Sequence, residues 1–167
     1  MFRRFRYLWA FLLTAFAAVL LRGLAVTQPS PATEVLSPMN ESPWELGKLV
    51  FWPYLCGALL LWRLEPKGSA SRGGHCAALL AAAAFMVVLC QLLWSVVPLW
   101  LLFCAAVAGG MALYHFLLRR HLWGGELLWY LLAILLGVAY LLLTAMPLTG
   151  GIFLDPRDAA AMATIPF

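Results

Sequence analysis

From Cys76 to Leu118 the chain runs for 43 residues without a formal charge. As one α-helix that stretch would be about 65 Å long, twice the ~30 Å hydrocarbon thickness of a bilayer. It must therefore fold back on itself. The break falls at Ser95-Val96-Val97-Pro98, because proline suits the first turn of a new helix and disfavours helical geometry in the residue before it. Two spans result, at about 76–95 and 98–118.

The same length criterion finds three more spans. The first covers about 7–26 and contains Arg22, close enough to one end to snorkel toward head groups. The second, about 46–62, is shorter, carries an aromatic edge of Phe51, Trp52 and Tyr54, and is expected to stand nearly upright. The fifth covers about 127–146, between Gly124-Gly125 and Pro147. With 65% hydrophobic and 11% charged residues, the chain lacks the polar surface of a soluble domain, in which roughly a quarter of residues are charged. A cytoplasmic enzyme is excluded. The expected fold is all-α: a polytopic membrane helix bundle with five transmembrane helices, forming one integral membrane domain over residues 1–167.

Arg3, Arg4 and Arg6 ahead of an apolar run imitate a secretory or twin-arginine signal. The run is longer than a usual signal core and no clear small-x-small site ends it, so it reads as a retained anchor. Positive charge in short loops marks the cytoplasmic side. Alternating sides put Arg3, Arg4, Arg6, Arg63, Glu65, Lys67, Arg72, Arg119, Arg120 and Glu126 on the N-terminal face, which sums to +6. The other face, with Arg22, Glu34, Glu41, Glu45, Lys48, Asp155, Arg157 and Asp158, sums to −2. The asymmetry predicts a cell-membrane protein with a cytoplasmic N-terminus and an extracytoplasmic C-terminus. The basic balance reports topology, so the expected partners are the lipid bilayer and a membrane protein, with no nucleic acid.

Helices in lipid associate through small residues that let backbones approach. Ala77/Ala81 and Ala78/Ala82 face Ala105/Gly109 and Ala106/Gly110 as the contact stripes of a tight hairpin between spans three and four. Trp44, Trp52, Trp94, Trp100, Trp123 and Trp129 fall near expected span ends, where an indole suits the head-group layer. Cys56, Cys76, Cys90 and Cys104 lie apart, with no C-x-x-C spacing, and read as packing residues.

Residues 27–43, rich in proline, form the expected extracytoplasmic loop. They end in a helix start, with Ser42 as N-cap, Pro43 at the first helical position and Glu45 closing a capping box. Glu45 is placed to pair with Lys48 one turn on. Pro53 cannot donate to the Leu49 carbonyl and is expected to bend the helix.

The segment Asn40-Glu41-Ser42-Pro43-Trp44-Glu45-Leu46-Gly47-Lys48, followed by an aromatic run and Pro53, resembles the hallmark of a family of small multi-pass bacterial-type membrane proteins of unassigned function. In words, that hallmark is Asn-Glu-Ser-x-Trp-Glu-His-x-Lys. Met146-Pro147-Leu148 and Ile152-Phe153-Leu154-Asp155-Pro156 resemble the family's closing stretch. The resemblance implies a fold and a location but no activity. Leu46 stands where the hallmark has histidine, so no imidazole chemistry is carried over.

Both stretches fall on one face, so Asn40, Glu41, Trp44, Glu45, Lys48 and Asp155, with Arg157 and Asp158, are the candidate site. One reading gathers these carboxylates and the lysine to bind a cation or move a proton. The other makes Ser42 and Glu45 a helix cap, Glu45–Lys48 a local pair, and the C-terminal charges a tether. Glu41 is the stronger functional candidate, because helix-start chemistry does not explain it. His75, His115 and His121 could meet on the opposite face and hold a metal or haem, but their spacing matches no ligand motif; no metal and no cofactor is expected. Gln91 and Thr144 are expected to bond neighbouring helices or backbone. No P-loop, nucleotide fingerprint, H-E-x-x-H or G-x-S-x-G is present. The leading expectation is a non-enzymatic helix bundle whose extracytoplasmic cap binds a partner, a lipid head group or an ion. The alternatives are an intramembrane enzyme using Glu41 or Glu45, and a small transporter.

Overall fold

The computed structural model describes residues 5–64, 72–117, 125–146 and 151–155, and the regular structure among them is entirely helical. In chain order the helices are α1 (Arg6–Thr27), α2 (Pro31–Leu36), α3 (Pro43–Leu64), α4 (Arg72–Leu93), α5 (Leu99–Leu117) and α6 (Gly125–Ala145), followed by a 3-10 turn at Gly151–Phe153. Four helices are long and apolar enough to cross a membrane: Arg6–Thr27, Gly73–Leu93, Leu99–Leu117 and Gly125–Ala145. The expected fifth, α3, matches them in length at 22 residues but carries Glu45, Lys48 and Arg63.

Several boundaries differ from the sequence reading. The connection expected as loop over 27–43 contains α2, started by Ser30, whose hydroxyl accepts the Thr33 amide while Thr33 Oγ1 accepts the Ser30 amide. That reciprocal pair, with Pro31 at the first position, is enough to close one short helix within a proline-rich stretch. α3 runs on beyond 46–62 at both ends and continues through Pro53. α4 begins at Arg72, so His75 sits in a helix rather than a loop. The expected break at Pro98 is present: its carbonyl accepts the amides of Leu101 and Leu102 at 2.9 and 3.3 Å, opening α5. Lys67, Arg119, Arg120, His121, Trp123, Arg157 and Asp158 lie outside the described residues.

The core is apolar, much of the exterior is apolar as well, and one lysine is fully enclosed. Lys48 is 0% exposed while Leu135 is 64% exposed and Phe16 60%. α3 is the most enclosed helix, with thirteen buried residues, whereas α6 has only Gly137 and Tyr140 buried. α3 packs between α1 and α4, and α4 also carries α5 and α6. This central position explains its polar composition, since a helix shielded by its neighbours need not present an apolar surface all round.

Small residues set the close approaches. On α1, Ala10, Thr14 and Ala18 form a buried stripe at four-residue spacing, and Gly57 of α3 lies against the Ala10 carbonyl and the Thr14 hydroxyl. Between α4 and α5 the expected hairpin is present, and on α5 it uses one of the two small-residue stripes. Ala78, Ala82, Ala106 and Gly110 are buried, while Ala105 and Gly109 are exposed. A Cβ at Gly110 would lie 2.7 Å from the Ala82 Cβ and 3.2 Å from the Ala78 carbonyl oxygen.

The same substitution should therefore have opposite signs at two glycines. Gly110→Ala forces backbone apart and is expected to destabilise the bundle by about 1–3 kcal/mol. Gly23→Ala, with nothing within 4 Å of its added carbon, should stabilise by up to about 1 kcal/mol through helix propensity. Denaturation in mixed detergent micelles reads both; equal effects at the two positions would contradict the packing.

Candidate functional site

α3 opens with Ser42 capping its first turn: the Glu45 amide donates to Ser42 Oγ at 3.3 Å, and the Leu46 amide donates to the Ser42 carbonyl at 3.0 Å. Half of the expected capping box is therefore present. The reciprocal half is replaced, because the Ser42 amide donates to Asn40 Oδ1 at 3.1 Å. This short local turn frees the Glu45 carboxylate for other partners. Its Oε2 accepts the Met39 amide at 3.1 Å, and both oxygens accept from Lys48 Nζ, at 2.6 Å for Oε1 and 2.7 Å for Oε2.

Lys48 reaches one further partner, Thr144 Oγ1 on α6, at 2.5 Å. The Thr144 hydroxyl in turn donates to the Tyr140 carbonyl at 2.6 Å. An ammonium has three N–H donors and no acceptor, so two carboxylate oxygens and one hydroxyl satisfy it completely. Thr144 therefore joins a neighbouring helix and its own backbone, as a polar group in an apolar span is expected to do. Aromatic rings pack around the network: Trp44 lies 4.7 Å from Tyr140 and 5.3 Å from Phe153, centroid to centroid. Gly47 leaves room for the Tyr140 hydroxyl, which a Cβ there would strike.

The outer part of the cap is more exposed. Glu41 pairs with Arg22 of α1 at 3.7 Å, their side chains 24% and 35% exposed. Arg22, read from the sequence as snorkelling toward head groups, thus has a protein partner, supplied where the end of α1 meets the start of α3. The Glu41 amide donates to Asp155 Oδ2 at 3.1 Å, across 114 residues of chain. All six candidate residues, Asn40, Glu41, Trp44, Glu45, Lys48 and Asp155, therefore belong to one connected assembly. Reasoning from sequence missed Tyr140, Gly47 and the Met39 amide. The only available signal was the four-residue spacing of Tyr140 and Thr144, which puts them on one face of α6.

The histidines have separate partners. His75 stacks on Tyr114 at 4.1 Å, and His115 Nδ1 lies 2.9 Å from Tyr7 Oη. Among the described residues no three His, Cys, Asp or Glu side chains group as metal ligands. Gln91 is exposed on α4 rather than set between helices, and Trp52 lies near the middle of α3 rather than at a span end. Cys90 is buried and Cys56 exposed, and none of the four cysteines is in a disulfide.

Fold and site together define an all-helical protein of membrane-spanning composition, closed at one end by a buried ion pair. No protein-family model, curated protein or solved structure matches the chain.

Removing one member of a buried, fully bonded ion pair strands the other, at a cost of about 3–5 kcal/mol. Lys48→Met and Glu45→Gln are each expected to destabilise by that order, and the double variant by clearly less than their sum. A double-mutant cycle from detergent unfolding checks this; strict additivity would mean that the two groups do not act as a pair.

Proposed function

We propose that this is a non-enzymatic integral membrane protein with five spans, including α3, a cytoplasmic N-terminus and an extracytoplasmic cap whose outer surface binds a protein partner. Membership in the family that the Asn40–Pro53 hallmark resembles is part of the same proposal. One observation carries it: the hydrogen-bonding capacity of the inner cap is consumed internally. Glu45 accepts from Lys48 and Met39, Lys48 has three acceptors, and both residues are buried.

A general acid or base needs a route to the proton it transfers, and a carried ion needs ligands that can release it. A sealed pair supports neither role, which favours binding over intramembrane catalysis or transport. Recognition then falls to the outward half of the cap, where Met39 is 58% exposed beside exposed Asn40 and the part-exposed Glu41–Arg22 pair. An exposed methionine next to a charge pair offers an adaptable apolar contact with a polar rim.

Photo-crosslinking from a reactive residue at position 39 in intact cells tests this. The expected result is a discrete protein adduct that Glu41→Arg weakens and Gln91→Arg leaves unchanged. Absence of any adduct, or purified protein that turns over a lipid substrate in a manner abolished by Glu41→Gln, would overturn the proposal.

A further inference from the structure

The start of α3 is covered by a piece of the chain's own C-terminal region. Gly151–Phe153 forms a single 3-10 turn, opened by Gly151 at φ +57, a left-handed backbone that suits glycine. It delivers two side chains to the cap. The Phe153 ring lies 5.3 Å from the Trp44 ring, and Asp155 Oδ2 accepts the Glu41 amide at 3.1 Å. Glu41 stands just ahead of Pro43, the first residue of α3, so this carboxylate lies toward the positive end of the helix dipole. The contact is peripheral. Phe153, Leu154 and Asp155 are each half-buried, whereas Glu45 and Lys48 of the same cap are enclosed.

The fit is also incomplete. Trp44 Nε1 is a buried donor with no hydrogen-bond partner among the described residues. A buried indole N–H ordinarily finds an acceptor, and leaving one unpaired is unfavourable. The Phe153 ring covers the indole but carries no oxygen or nitrogen to accept from it. A ligand that reproduced the ring contact and the carboxylate contact, and added an acceptor within reach of Trp44 Nε1, would therefore bind this surface better than the tail does. Tethering offsets that disadvantage, because residues 151–155 follow α6 in the same chain and act at a high effective concentration.

We propose that Phe153-Leu154-Asp155 is a built-in occupant of the partner-docking surface at the start of α3, and that the partner is an extracytoplasmic protein segment with an aromatic residue two positions before an acidic one. The proposal deepens the reading of the cap as a protein-binding surface and rests on it. The two anchors define what the segment must supply: a ring for Trp44 and a carboxylate for the Glu41 amide. Arg22 is engaged with the Glu41 carboxylate at 3.7 Å, so the acid is received by the backbone of Glu41. Displacing the tail uncovers Trp44 and joins it to the exposed edge at Met39 and Asn40.

The test uses the full chain in nanodiscs, isotopically labelled at the tryptophan nitrogens, with the acetylated and amidated peptide Gly-Ile-Phe-Leu-Asp as probe. The Trp44 indole resonance is identified by its loss in Trp44→Phe. The peptide should shift it at concentrations about tenfold lower in the double variant Phe153→Ala with Asp155→Asn, whose tail no longer competes, than in the natural chain. Asp155→Asn alone, with an expected change of about threefold, serves if the double variant does not fold. A peptide with alanine in place of phenylalanine should shift nothing at the same concentrations. Equal half-saturation in the natural chain and the variants, or no shift in any of them, would overturn the built-in occupant. Photo-crosslinking from position 39 separates this outcome from failure of the cap reading: its adduct should rise about fivefold in Asp155→Asn. An adduct that the tail variants leave unchanged overturns the displacement while the cap reading stands. No adduct in any variant, with the peptide response intact, overturns the cap reading instead.

Discussion

A lysine ammonium inside an apolar bundle is tolerated only if each of its three N–H groups finds an acceptor and its charge finds a counter-charge. Lys48 meets that condition through both oxygens of Glu45 and the hydroxyl of Thr144. The geometry around it follows. Glu45 must sit one turn before Lys48, so α3 starts at Pro43; Thr144 must face α3, so the end of α6 is held against the start of α3. With Tyr140 and Trp44 covering the pair, the polar groups are sealed from whatever surrounds the helices.

The pair also fixes which helix is central. α3 carries charges that would be costly on a lipid-facing surface, and it is the helix with most of its residues buried, between α1 and α4. α1 and α6 present leucine and phenylalanine outward and touch the core through small residues or a few aromatic rings. The cap draws in the end of α1 through Arg22–Glu41 and the C-terminal segment through Asp155. Three remote parts of the chain thus converge on one helix start. At the opposite end aromatic contacts take over, Tyr7 with His115 and Tyr114 with His75.

Much of this was legible from the residues. The uncharged run from Cys76 demanded a hairpin and Pro98 located it. Ala78, Ala82, Ala106 and Gly110 announced its contact, although spacing alone could not choose between two adjacent small-residue stripes on α5. Ser42, Glu45 and Lys48 were readable as a cap and a pair because those interactions are local. Their tertiary partners were not: Thr144 and Asp155 lie roughly a hundred residues away in sequence, and nothing in a helix period specifies which neighbour a face will meet. α2 was missed because proline-rich composition suggests loop, while Ser30 and Thr33 supply a complete local cap. His75 and His115 were grouped by side of the membrane, yet each was taken up by a tyrosine, a contact available to any histidine near such a ring.

Everything turns on whether α3, polar at its start and charged at its end, passes through the bilayer. Single cysteines at Gln28 and Ser71, in a chain whose four native cysteines are replaced, would flank it on either side. In intact cells an impermeant thiol reagent should label Gln28→Cys and spare Ser71→Cys until the membrane is opened. Labelling of both without permeabilisation, or protection of both, would place the two ends of α3 on one side and contradict the five-span bundle.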